Sequence, residues 1–248
     1  MNSENENSDI RLGFVLFENE EMYWNDFIKN LQNDWDIEIT DKPEGNSLVF
    51  ETNNMIAACG FMPAPVQNDE AVENAKNNFI WPEAVEQTKK HKTHLIVSVM
   101  KSEDPLAQGI LYTMVASSAL KLKNALAIYQ WPTVLDPEYF IQMAEMIKQE
   151  QLPIMNLVYF GLYPDEKSFS GYTLGLNHFN KKEIEVLQTN ASPEKLYTFL
   201  INIATYIIEN DVDLFAGETI GFSEEEKLPI KISEGVAVQG ESIKIGLE

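Results

Sequence analysis

His91 and His94 stand three apart in KKHKTHLIV, a spacing that lets two imidazoles reach one zinc ion when the segment is helical. The β-branched run HLIVSVM begins at His94 itself, and an extended chain turns the two rings apart. The pair therefore reads as a cap at a helix end followed by a packing residue at a strand start. His178, in LNHFNKK, is near enough to Glu183 in sequence for general-base work, although a loop histidine beside an aromatic ordinarily packs or faces solvent. Glu183 and Glu185 fall on one face of the alternating segment EIEVLQ, as paired acid-base carboxylates would and as the solvated face of a half-buried sheet also would. Cys59 lies inside the apolar run MIAACGF, which implies a buried and unreactive thiol. Ser117-Ser118 and Ser168 to Ser170 lack the sharp G-x-S-x-G turn of a hydrolase, and Gly109 is too isolated to open a phosphate loop. No metal and no cofactor is expected from these residues.

Trp81 and Trp131 each precede a proline, in FIWP and YQWP, and tryptophan with a polar rim is common at binding pockets and interfaces. Trp-Pro packing also closes helix entries, so the pair marks a surface or pocket candidate and not a catalytic centre. The 248 residues hold 18 basic and 39 acidic side chains, a net charge of −21. That field repels phosphate backbones and anionic lipid, which argues against nucleic acid and membranes as partners. The charge is uneven: residues 1–54 carry a net −10 and residues 191–248 a net −7, including the run Glu224, Glu225 and Glu226, while 55–124 are balanced. No apolar run approaches the roughly 20 residues of a transmembrane helix, and MNSENENSDI has no signal-peptide pattern. A single cysteine excludes an internal disulfide and suits a reducing cytoplasm.

Positioning these residues takes an α+β architecture with largely antiparallel sheets. Residues 1–11 read as a disordered polar leader. Leu12 to Phe17 reads as a strand, 22–35 as a helix, SLVFE and MIAACGF as a hairpin turned at Asn53-Asn54, 69–77 as a helix, and 94–100 as a strand. That βαββαβ order is the pattern of a ferredoxin-like unit with its helices on one face of the sheet, assigned to 12–102. A related α+β half, packed against the first, follows over 103–248, with helices opening at Pro105, Pro137 and Ser192-Pro193. Its last forty residues carry two or three short strands punctuated by glycines.

NNFIWPEAVEQTKKHKTHLIVSV, the tetrapeptide MPAP, NLVYFGLY, SGYTLGL and GETIGFSEEEKLPI, in that setting, resemble a bacterial family known as domain of unknown function 4261, from about Leu12 to the C-terminus. His91 and His94 fall inside the shared pattern and His178 does not. The resemblance implies no activity, cofactor or catalytic residue.

The combination of an acidic field with no catalytic constellation leads to a cytoplasmic, non-enzymatic protein that binds a basic protein partner, such as a toxin, through an acidic face. The competing reading is an enzyme or small-molecule binder with a pocket between the two halves, near Trp81, His94 and Trp131. Oligomeric state is not legible in the sequence.

Overall fold

The first apolar run forms β1 (Ile10–Phe17), followed by α1 (Trp24–Trp35), in a computed structural model that describes residues 10–221 and 227–247. The chain then makes β2 (Ser47–Thr52), β3 (Met55–Met62), α2 (Glu70–Ala75), α3 (Ala84–Thr88), β4 (Thr93–Met100), α4 (Pro105–Leu120), β5 (Ala125–Gln130), β6 (Thr133–Leu135) and α5 (Pro137–Ala144). These belong to a compact unit spanning Ser8–Asn156. Its sheet has the order β2-β3-β4-β1-β5-β6, with every neighbouring pair antiparallel.

Alternation along β1 decides what lies on each side of that sheet. Val15 and Phe17 join Leu95, Val97 and Ile128 in the larger core, with Phe27 and Leu31 of α1, Leu111 and Val115 of α4, and Phe140 of α5. Leu16 faces the opposite side, where Ala71 and Ala75 of α2 and Ala84 of α3 cover it together with Tyr129. The Tyr129 hydroxyl donates to Glu70 Oε1 at 2.5 Å and so fixes α2 on this second face. Helices α4 and α5 open as their sequences predict: Asp104 accepts from the N–H groups of Leu106 and Ala107, Asp136 accepts from Tyr139, and a proline fills the first turn of each. Helix α4 is buried around most of its circumference, and Thr113, Ser117 and Ser118 return their hydroxyls to its own carbonyls.

Leu157–Glu248 make the second unit. It contains β7 (Tyr159–Pro164), β8 (Phe169–Leu174), β9 (Ile184–Thr189), α6 (Pro193–Glu209), β10 (Thr219–Ile220), β11 (Leu228–Glu234) and β12 (Glu241–Ile245). The sheet order is β10-β11-β12-β9-β8-β7, and among the described residues β12 with β9 is its one parallel pair. Helix α6 starts at Pro193 behind the Ser192 cap and buries Leu196, Leu200, Ile203 and Ile207.

The α+β class is as the sequence predicts, and four finer expectations are corrected. The boundary near residue 102 does not separate the units, because β5 pairs with β1 and draws 103–156 into the first sheet. Helices cover both faces of that sheet, since the connection between β3 and β4 carries α2 and α3 to the second side. In the ferredoxin-like pattern the third and fourth strands run parallel around the first. Here β3 and β4 are direct antiparallel neighbours, and the parallel pair around β1 is instead β4 and β5, joined by α4. Residues Ile10 and Arg11, assigned to the leader, are strand residues; 1–9 lie outside the described residues.

Gly13 is the tightest point of β1: a Cβ there would collide with the Tyr112 hydroxyl. That hydroxyl is buried with no hydrogen-bond partner among the described residues. Gly13→Ala is therefore expected to cost about 1–3 kcal/mol, and adding Tyr112→Phe should recover most of the loss. Urea unfolding of the two single variants and the double variant checks this; equal losses with and without Tyr112 would place the strain elsewhere.

Candidate functional site

The histidines hold backbone. His91 Nε2 accepts from the Val66 N–H at 3.0 Å, and its Nδ1 lies 2.5 Å from the Thr88 carbonyl, the pattern of a neutral ring protonated at Nδ1. His94 Nδ1 donates to the Ala64 carbonyl at 2.9 Å, and its ring packs edge-on against Phe14. Burial holds His94 below the ordinary imidazole range, the Ala64 carbonyl opposes this, and the nearby His91 adds to the lowering. The two imidazoles thus clasp the segment after β3, MPAPV, against the start of β4. No group of three or more His, Cys, Asp or Glu side chains suited to a metal occurs among the described residues. Cys59 is buried, which pushes its thiol up to about 12.

Glu183, just before β9, and Glu185, on it, are both buried and not on a solvated face. Glu183 accepts from the Thr173 hydroxyl at 2.7 Å and from the N–H groups of Gly175 and Asn177 at 2.8 and 3.3 Å. Burial nevertheless pushes its carboxyl up, against these donors and the Leu176 N–H. Glu185 has no exposed surface. It accepts from the Ala237 N–H at 2.6 Å, from the Val236 N–H at 3.1 Å and from the Ser242 hydroxyl at 2.5 Å, and pairs with Lys244 Nζ at 2.7 Å. Burial alone would raise it; Lys244, Ser242 and the two backbone donors together hold it below the usual carboxylate range. Both acids are pegs that fasten loops to β9. His178 is half-buried in the turn whose N–H groups Glu183 accepts from.

Trp81 and Trp131 fall in one unit. Asn77 and Asn78 donate their side-chain amides to the carbonyls of Pro132 and Val134, at 2.8 and 2.7 Å, bolting the loop before α3 to the β5–β6 turn. Trp81 is half-buried and packs on the smaller core, whereas Trp131, preceding a cis proline, is 67% exposed. Glu224, Glu225 and Glu226 lie outside the described residues.

The sequence signals did not single out α1, where acid and apolar surface meet. Residues 18–44 hold nine acids and two lysines, and all but Asp34 of those acids are exposed. After α1 the chain turns at Asp36 in the left-handed region and runs back along the helix. Two open grooves result. One, about 870 Å³, lies between Met22, Trp24 and Ile28 on one side and Ile39 and Pro43 on the other, with Asp26, Asp41 and Lys42 at its edge. The other, about 720 Å³, lies at the far end of α1, floored by Trp35, Ile37, Met55, Ile110 and Met114 and edged by Asp36, Lys101, Glu103 and Asp104. Lysines also touch this side: Lys121 pairs with Asp34 at 2.9 Å, and Lys123 and Lys148 lie over the rings of Tyr23 and Trp35. The pointer available in the sequence was the net −10 of residues 1–54 around Tyr23, Trp24 and Trp35. In the second unit a smaller cavity of about 180 Å³ lies beside Phe215 and Lys181, whose ammonium pairs with Asp211 and Asp213.

Fold and surface together define an α+β protein with one acidic, grooved side on its first unit and two saturated carboxylate clasps in its second. Residues 172–246, most of that second unit, match the family described as Domain of unknown function (DUF4261). No curated protein and no solved structure matches the chain.

The clasps give opposite expectations for two neighbouring acids. Glu185→Gln leaves Lys244 without its counter-charge and should cost about 3 kcal/mol or more at pH 7, while Glu183→Gln relieves a penalised charge and should cost under about 1 kcal/mol. The depressed carboxyl of Glu185 stabilises the fold above the unfolded carboxylate range, and that contribution disappears as pH falls through its folded value. The acid limb of the stability profile should therefore flatten in Glu185→Gln. Urea unfolding by circular dichroism across pH decides; equal costs for the two variants would show that the clasp does not hold the unit.

Proposed function

We propose that the protein is a cytoplasmic, non-enzymatic binding protein that engages a basic protein partner, such as a toxin, through the acidic side of its first unit. The observation that carries this reading is the exposed charge of residues 18–44, eight acids against two lysines, set around apolar grooves. Acidic surface steers a basic partner into encounter, and desolvated apolar contacts then hold it. The groups best suited to catalysis are committed elsewhere: the histidines clasp MPAPV, and Glu183 and Glu185 are filled with donors from their own unit. No helix among the described residues is long and apolar enough to cross a membrane.

Immobilised protein should retain a basic protein from cell extract, and its association rate should fall steeply between low and physiological salt, where screening shortens the field to about 8 Å. Replacing Glu38, Asp41 and Glu44 with lysine should slow that association at least tenfold at low salt and leave the melting temperature within about 4 °C. The same reversal at Glu224, Glu225 and Glu226 tests whether that run contributes. Retention of no basic protein at any salt, or a rate indifferent to both reversals, would contradict the reading.

A further inference from the structure

We propose that the two grooves at the ends of α1 are occupied together by a single basic, amphipathic α-helix of a protein partner, an inference that rests on the acidic-face reading above. Each groove has an apolar floor and a rim richer in acid than in base: Asp26 and Asp41 against Lys42 at one, Asp36, Glu103 and Asp104 against Lys101 at the other. Exposed Glu38 stands between Ile37, in the second groove, and Ile39, in the first. An occupant must therefore present apolar side chains at two places and positive charge around and between them.

The spacing selects its conformation. Trp24 in one groove and Trp35 in the other lie about 16 Å apart along α1, while Ile37 and Ile39 stand only two residues apart, so the two grooves adjoin along the helix. Apolar residues at i, i+4, i+7 and i+11 of a second helix cover the same length on one face, with lysines or arginines on the flanks. Residues of α1, the returning 36–45 segment, the β2–β3 hairpin and the first half of α4 line the grooves. The N-terminus of α4, at the edge of the second groove, is already capped by Asp104, so it offers an acidic rim and not an anion site.

Trp24 lines one groove and Trp35 the other, which gives each its own reporter. Two variants of the full chain, each keeping one of these and carrying phenylalanine at the other three tryptophans, are titrated with a helical leucine-lysine peptide of about 18 residues. Polylysine of equal charge is the comparison probe. The proposal predicts a blue shift of both reporters with one midpoint for the amphipathic peptide, and salt-sensitive binding without a shift for polylysine. Response of only one tryptophan, or equal effects of the two probes, overturns the single-helix occupant while leaving the acidic face intact. Absence of binding by either probe at low salt overturns the acidic-face reading as well. The unaltered tryptophan background supplies a second check: Ile28→Glu in one groove and Ile110→Glu in the other should each weaken the peptide at least tenfold by calorimetry, and an unchanged affinity in either variant contradicts the proposal.

Discussion

Strand β1 is hydrogen-bonded on both sides, to β4 through its whole length and to β5 over Phe14–Phe17, and the first unit follows from that double pairing. Two partners that are both antiparallel to β1 are parallel to each other, so α4 must cross from one to the other over a face of the sheet. The crossing fills that face with α4 and leaves α1 to pack beside it. It also makes Gly13 necessary, where the Tyr112 ring of α4 comes down on the strand. With the middle of the sheet occupied, α1 and its acidic return segment lie at its side, where eight carboxylates can remain hydrated.

A different use of charge holds the second unit. Glu185 of β9 and Glu183 just before it are buried, and each gathers donors from a loop or turn and from a neighbouring strand. Glu185 takes the N–H groups of Val236 and Ala237, some fifty residues away, with Ser242 and Lys244 of the neighbouring parallel strand. A buried carboxylate is costly unless its lone pairs are filled, and here they are filled almost entirely by groups that would otherwise lack partners themselves. The histidines of the first unit follow the same economy, serving the backbone of Ala64 and Val66. Chemistry-bearing residue types are thus consumed as internal fasteners, while the acids around α1 stay in water.

Local features were legible in the sequence. The Asn53-Asn54 hairpin turn, both residues with positive φ, the proline starts of α4, α5 and α6, and the buried Cys59 all follow from short-range rules of backbone and burial. What was not legible depends on distant pairing. Residues 125–130 read as a strand of a second half beginning at 103 because a strand's own period does not say which strand it will join. EIEVLQ alternates identically whether its acids meet water, do acid-base work or meet the donors of a remote loop, so the period alone does not separate these readings of Glu183 and Glu185. The grooves were invisible for the same reason: the charge of 18–44 is plain in the sequence, but a groove exists only once 36–45 folds back along α1.

Hydrogen exchange of the full chain, followed by mass spectrometry with and without the helical leucine-lysine peptide, tests the central claim most directly, because it reports where a basic partner sits. Protection is predicted in 22–45 and 101–114, the segments that line the two grooves, and it should vanish as salt is raised. Protection confined to the second unit, to 222–226 or to the Trp81 and Trp131 loops would contradict the account.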